Sequence, residues 1–154
     1  MRRPGPTVKK TLFASPHDAE TAFYEALTKG DLEAMMAVWS DDDEIYCVHP
    51  HGQRVSGVEQ VRESWRKIFA SGQSLRFQLR GQQYVNAMMM SVHSVYEHIA
   101  VVGETRTRAP VIATNIYVRT DRGWCMVAHH ASPAPSPAPA ASSDEPQRAR
   151  NTLH

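Results

Sequence analysis

The chain has 154 residues, of which 42% are hydrophobic, and a formal net charge of +1 at pH 7. This length and hydrophobic content suit one domain with one core, and the nearly balanced charge provides no basic field for nucleic acid. The sequence holds neither an apolar run of the ~18 residues that cross a bilayer nor the apolar stretch of a secretory signal, so we expect a cytoplasmic protein that binds neither membranes nor nucleic acid.

The two ends of the chain are predicted to lie outside the domain. Residues 1–14 are basic and contain proline, while proline, alanine and serine dominate from Ser132 onward. Such side chains bury too little apolar surface to offset the entropy of ordering the backbone. We therefore predict a disordered N-terminus over residues 1–14, a folded domain over 15–132 and a flexible tail over 133–154.

Two helices are predicted at the start of the domain. Ser15 is suited to be an N-cap before Pro16, and Gly30 is suited to end the first helix. Asp31 can cap a second helix, which should stop near Ser40, before an acidic run. Apolar residues recur with helical spacing in both segments.

A strand and a third helix follow. Residues 45–48 are apolar and strand-like, and Pro50 ends the strand because it cannot donate to the ladder. Ser56 and Glu59 have the spacing of a capping box, and Gly72 closes the helix that they begin.

The remaining chain is predicted to be β-structure. Strands are expected over residues 75–85, 88–102, 109–120 and 124–131. Because consecutive strands with short connections pair antiparallel, these four should form a meander. The predicted order is α-α-β-α-β-β-β-β, and the fold class is α+β.

Two histidines at the ends of strands are the catalytic candidates. His49 follows Cys47 by strand parity, and His130 follows Met126, so both are predicted to point inward as catalytic groups. Burial would keep such an imidazole neutral and able to accept a proton or a hydrogen bond. His51 lies beyond the proline and is predicted to face solvent. A structural histidine, hydrogen-bonded within the fold, is the alternative at both sites.

No metal or cofactor is predicted. His49 and His51 lack further ligands at any spacing typical of a metal site. His93 and Glu97 share a strand face but are expected at the surface, and His129 is expected on the outer face of the last strand.

Two segments resemble one known family. "VHPHGQRVSGVEQVRESW" and "ATNIYVRTDRGWCMVAHHASP" are similar to the SnoaL-like domain family of the nuclear transport factor 2-like, or ketosteroid isomerase-like, superfamily, and the resemblance extends over residues 15–133. It implies a cone-shaped α+β barrel, in which three N-terminal helices pack on a curved antiparallel sheet. It also implies a pocket at the open end and a homodimer formed through the outer sheet face.

The pocket walls that this fold implies include polar and aromatic side chains. In a cone the inner ends of the helices and strands surround the ligand, and an apolar pocket with a few polar groups is the usual small-molecule site. The expected ligand-binding residues are Tyr24, Trp39, Trp65, Phe69, Asn115 and Tyr117.

Two functions remain open at this point. The first is a small-molecule-binding protein, with cofactor-free isomerase, cyclase or lyase activity on an apolar carbonyl compound. The second is a non-catalytic dimeric binding or assembly domain of the same fold, which the missing carboxylate pair of the known isomerases favours. Fold alone does not choose between them.

Overall fold

The computed structural model describes residues 13–105 and 108–135. The predictions for residues 1–12 and 136–154 therefore lie outside the described residues. Backbone contacts with the sheet reach both ends of the described chain: the Phe13 carbonyl accepts a hydrogen bond from Trp124 N at 2.9 Å, and Ala134 N donates to the Pro110 carbonyl at 2.9 Å.

The described helices are α1 (Pro16–Lys29), α2 (Leu32–Val38) and α3 (Val58–Ala70). The predicted caps of α1 and α2 are confirmed: Ser15 accepts from Asp18 N at 3.0 Å, and Asp31 accepts from Ala34 N at 3.0 Å. Gly30 ends α1 with φ of 61°, a conformation that glycine adopts without strain.

The strands are β1 (Tyr46–Val48), β2 (Arg54–Ser56), β3 (Leu75–Asn86), β4 (Met90–Val101), β5 (Val111–Thr120) and β6 (Gly123–Pro133). They form one open, mixed, six-stranded sheet in the order β2-β1-β6-β5-β4-β3. The antiparallel meander β3 to β6 is confirmed, and β1 joins its edge by pairing parallel to β6. Strand β2 was not predicted, because a three-residue strand with one half-buried side chain has almost no periodicity.

The start of α3 differs from the prediction. The capping box of Ser56 and Glu59 is wrong, because Ser56 still belongs to β2 and the N-cap is Gly57. The Asp43 carboxylate accepts instead from Val58 N at 3.3 Å. A residue from the acidic loop thus satisfies a free amide at the helix start.

The hydrophobic core lies between the three helices and the inner face of the sheet. Its largest apolar members are almost fully buried, and they come from every layer: Phe23, Met35, Trp39, Trp65 and Met126. This one-sided packing leaves the outer face of the sheet without a helix in the described part of the chain.

A β-bulge divides β6 into two halves of opposite parity. Ile116 pairs with Ala128 and Tyr117 pairs with Met126, so that Val127 has no partner on β5. A bulge of this kind moves every later side chain to the other face of the sheet.

The bulge overturns one prediction. His129 pairs with inward-facing Asn115 and is 3% exposed, whereas His130 pairs with Thr114 on the outer face and is exposed. The predicted inward orientation of His130 and the outward orientation of His129 are therefore both wrong. Counting alternate residues from Met126 gave the wrong face because Val127 is an extra, unpaired residue in β6.

Candidate functional site at the α1–β3 cleft

Helix α1 presents two polar side chains to the sheet. Glu20 and Tyr24 lie one helical turn apart, and they are 4% and 7% exposed. Both are held against the inner face because Ala19 and Phe23, their neighbours on α1, are completely buried in the core.

Strand β4 contributes a second set. Its inward positions hold Ser91, His93 and Glu97, which are all at most 3% exposed. The predicted surface placement of His93 and Glu97 is wrong, because β4 lies between β3 and β5 and α1 covers this face.

Glu20 is the acceptor at the centre of these groups. Its Oε2 atom lies 2.7 Å from His93 Nδ1 and accepts from the Tyr117 hydroxyl at 3.2 Å and from Asn115 Nδ2 at 3.5 Å. The Oε1 atom takes part in none of these bonds. His93 Nε2 lies 2.9 Å from Ser91 Oγ, so both ring nitrogens have partners.

Tyr24 connects this group to a further chain of bonds. Its hydroxyl donates to Glu97 Oε2 at 2.6 Å and accepts from Asn115 Nδ2 at 3.0 Å. Asn115 Oδ1 lies 2.6 Å from His129 Nδ1. An amide oxygen can only accept, so His129 must carry its proton on Nδ1. We call the seven residues Glu20, Tyr24, His93, Glu97, Asn115, Tyr117 and His129 the buried polar network.

Burial sets the protonation of this network. It raises the pKa of Glu97 to about 7; the bond from Tyr24 opposes this shift and the nearby Glu20 adds to it. It also raises the pKa values of Tyr24 and Tyr117 well above the ordinary value. Burial lowers the pKa of His129 to about 3, and His49 and His130 add repulsion. At neutral pH the tyrosines and His129 are uncharged, and Glu97 can exchange a proton.

A cleft of about 460 Å³ opens between α1 and β3, directly above part of the network. Glu20 and Tyr24 are the buried side chains of its lining and form its floor, and Phe77, Leu79 and Tyr84 on β3 provide an apolar wall. The rest of the lining is exposed and polar: His17, Thr21, Glu25, Thr28, Lys29 and Gln82. Its volume falls in the range typical of small-molecule pockets. We call it the α1–β3 cleft.

A second cleft of about 330 Å³ lies beside the first and reaches His93. His17 and Tyr84 line both clefts, and their rings meet edge to face with centroids 5.7 Å apart. The two clefts therefore share the side chains of His17 and Tyr84.

The predicted ligand-binding residues are distributed over three places. Tyr24 lines the α1–β3 cleft, while Asn115 and Tyr117 lie behind it in the network. Trp39 and Trp65 are core residues, and Phe69 stacks on Trp65. None of these last three lines the α1–β3 cleft.

His49 lies away from the cleft, beneath α3. Its Nε2 atom is 3.0 Å from Ser64 Oγ, and its ring meets the Trp65 ring edge-on with centroids 4.6 Å apart. Burial lowers the pKa of His49 to about 4. Because β1 pairs with β6 in register, its histidine neighbour across the strands is the inward His129 and not His130. His51 is exposed, as predicted.

Sequence reasoning missed Glu20, and it misplaced His93, Glu97 and His129. The signal for Glu20 was its spacing of four residues from Tyr24 on α1. For β4 the signal was that His93 and Glu97 share a strand face with the apolar Val95 between them.

Two absences concern the described residues alone. Over residues 13–105 and 108–135 no group of three or more His, Cys, Asp or Glu side chains is arranged to hold a metal ion. In the same ranges none of the helices is long and apolar enough to cross a membrane.

Comparisons with known proteins agree with this architecture. A candidate calcium/calmodulin-dependent protein kinase type II association domain from Thiobacillus denitrificans is 36% identical, with a TM-score of 0.77 over 80% of this chain and 98% of the other. A candidate dehydratase of the nuclear transport factor 2-like family from Streptomyces avermitilis is 30% identical, with a TM-score of 0.70 over 77% of this chain and 92% of the other.

A plant protein and the model of one domain family are also similar to this chain. The F-box protein SKIP8 of Arabidopsis thaliana is 28% identical over 112 residues, which are 73% of this chain but only 46% of that protein's length. The profile of the SnoaL-like domain matches residues 17–137. The chain therefore belongs to the SnoaL-like domain family, within the nuclear transport factor 2-like superfamily.

Proposed function

We propose that this protein binds a small apolar carbonyl compound in the α1–β3 cleft. The observation that carries the proposal is that one cleft combines an apolar wall from β3 with a floor made by the buried Glu20 and Tyr24. The apolar body of the ligand packs against Phe77, Leu79 and Tyr84, and its oxygen lies against the floor. A few convergent polar groups in an apolar cleft are the usual basis of orientation and specificity.

The same floor supports cofactor-free proton transfer as the finer proposal. Glu20 Oε1 accepts none of the network's hydrogen bonds and can face a ligand proton, while Glu97 has a pKa of about 7. An acid or base poised near the working pH is the most effective proton carrier. Isomerase, cyclase and lyase reactions of carbonyl compounds need such a carrier, and the name of the S. avermitilis relative, a candidate dehydratase, belongs to the last of these classes.

The test uses acetophenone as probe and Tyr24→Phe as variant. We expect acetophenone to shift the amide signals of residues around the α1–β3 cleft, and Tyr24→Phe to weaken binding about fivefold to tenfold, as the loss of ~1 kcal/mol from one hydrogen bond requires. Tyr96→Phe, on the outer face of β4, is the matched control and should bind as the wild type does. Shifts confined to other surfaces, or equal binding by Tyr24→Phe, would count against the proposal.

A non-catalytic assembly domain is the second candidate function, and the outer sheet face favours it. Val92, Ile116, Ala128 and Tyr46 stand in one row across four strands, and the next row holds Ser94, Thr114, His130 and Val48. Neither row contains a lysine, arginine, aspartate or glutamate. We propose that a second copy of the chain covers this face; the T. denitrificans relative, named for an association domain, is consistent with this role.

A charge placed in the middle of that face should break the dimer. We expect the wild type to sediment as a dimer at micromolar concentration and Ile116→Arg to sediment as a folded monomer, because an unpaired guanidinium in an apolar interface is costly to desolvate. Ser71→Arg, at the exposed end of α3, is the control and should remain dimeric. A monomeric wild type would remove the proposal.

A further inference from the structure

We propose that Tyr24 selects ligands whose polar end accepts a hydrogen bond, and that such a ligand binds together with one proton, which resides on Glu97. This inference rests on the proposed binding of ligands in the α1–β3 cleft and adds the ligand class and its coupling to protons.

The hydrogen bonds around Tyr24 run in one direction. His129 Nδ1 donates to Asn115 Oδ1 at 2.6 Å, so the other end of that amide, Nδ2, must point to Tyr24, 3.0 Å away. Tyr24 therefore accepts on one side and donates its single proton to Glu97 on the other, at 2.6 Å. While Glu97 is ionised, the tyrosine has no proton left for the cleft that it lines.

Protonation of Glu97 reverses the hydrogen bond between Tyr24 and Glu97. A carboxylic acid gains one O–H donor, and in the proposed arrangement Glu97 donates it to the Tyr24 oxygen, which already accepts from Asn115. The phenolic proton then turns away from both partners and toward the cleft. A carbonyl oxygen has only lone pairs, and it is the complementary group for that proton. A hydroxyl or amine proton on the ligand would gain nothing from the reversal.

Other titratable groups face this pair from each neighbouring element. They are Glu20 on α1, His93 on β4, Tyr117 on β5, His129 on β6 and Cys47 on β1, while β3 contributes the apolar partner Leu79. Tyr117 and Cys47, whose pKa values are raised, stay protonated at neutral pH, and His129 stays neutral. The test must therefore separate Glu97 from Glu20 and His93, and a variant of Glu97 alone does so.

The first experiment needs no ligand. We expect the side-chain carboxyl carbon of Glu97, followed by ¹³C NMR, to titrate near pH 7 and to move to higher pH in Tyr24→Phe, because the bond from Tyr24 favours the ionised form. A Glu97 signal that titrates in the ordinary range of glutamate, or that ignores Tyr24→Phe, would overturn the inference.

The second experiment measures the coupling with acetophenone. Calorimetry in buffers of different ionisation enthalpy should show proton uptake that approaches one per ligand above pH 7, and Kd should rise by up to tenfold between pH 7 and pH 8. In Glu97→Gln both the uptake and this pH dependence should vanish while binding persists.

The outcomes separate the two proposals. Failure of the full chain to bind acetophenone at any pH would contradict the proposed function, whatever the NMR titration shows. Binding without proton uptake, or an unchanged pH dependence in Glu97→Gln, would overturn the inference and leave the binding site in place.

Discussion

Replacing Asn115 by leucine should lower the free energy of unfolding by up to about 3 kcal/mol. Asn115 is completely buried and bonds to Tyr24, Glu20 and His129. Leucine would leave at least the His129 Nδ1 donor without its partner in the core, and each buried unsatisfied group costs ~1–3 kcal/mol. Denaturant unfolding monitored by circular dichroism measures the effect.

The neighbouring residue supplies the control for that experiment. Thr114 is half-buried on the outer face and follows the same strand geometry, so Thr114→Leu should change stability by less than about 1 kcal/mol. If the two variants were equally stable, the buried polar network would contribute no net stability, as can happen when apolar side chains replace buried polar ones.

Acid should destabilise the protein through its two buried histidines. His129 and His49 have pKa values of about 3 and about 4 in the folded chain, below the ordinary value of 6.5. A depressed pKa gives stability that is present above pH 6.5 and lost as pH falls toward the folded value. Together the two histidines should cost on the order of 5 kcal/mol between pH 7 and pH 4.5, an upper value because His49 is only partly buried.

Between pH 7 and pH 4.5 Glu97 changes the free energy of unfolding in the opposite direction to the two histidines. Its pKa of about 7 lies above the ordinary 4.5, so its contribution is present below pH 4.5 and is lost as pH rises through 7. That term offsets roughly 3 kcal/mol of the histidine loss in the wild type. We therefore expect Glu97→Gln to steepen the acid loss.

The two variants make the pH prediction specific. His129→Gln keeps a donor for Asn115 but cannot take up a proton, so it should remove about half of the histidine loss, which is most of the net acid loss that remains after the Glu97 offset. Thermal unfolding at pH 4.5, 5.5 and 7 would measure all three chains. Parallel pH profiles for the wild type and both variants would contradict the assigned protonation.

The elements that local chemistry defines were predictable. The caps Ser15 and Asp31 act within one helical turn of themselves, and the tight turn at residues 120–123 forces β5 and β6 to pair. The family followed from such local motifs in order. The covering of a strand face is not local: His93 and Glu97 are buried only because β4 lies between two other strands and beneath α1.

In the candidate site, too, residues whose placement follows from local sequence were predictable, and residues whose placement depends on distant contacts were not. Tyr24, Asn115 and Tyr117 were recognisable because aromatic and amide groups on inward faces need partners. Glu20 was missed despite its helical spacing from Tyr24, since an acidic residue near a helix start usually faces solvent and the burial of Glu20 depends on His93, far away in the chain. The inward parity of His129 depends on an unpaired Val127, which no alternation of residue types reveals.

That single unpaired residue also separates the length of β6 from its chemistry. In-frame loss of the Val127 codon would make the pairing of β6 with β5 regular and leave Ala128, His129 and His130 opposite their present partners. His129 would still face inward and orient Asn115, so the interior would keep the same histidine. At this point of the strand a codon can therefore be lost without a change in the chemistry of the interior.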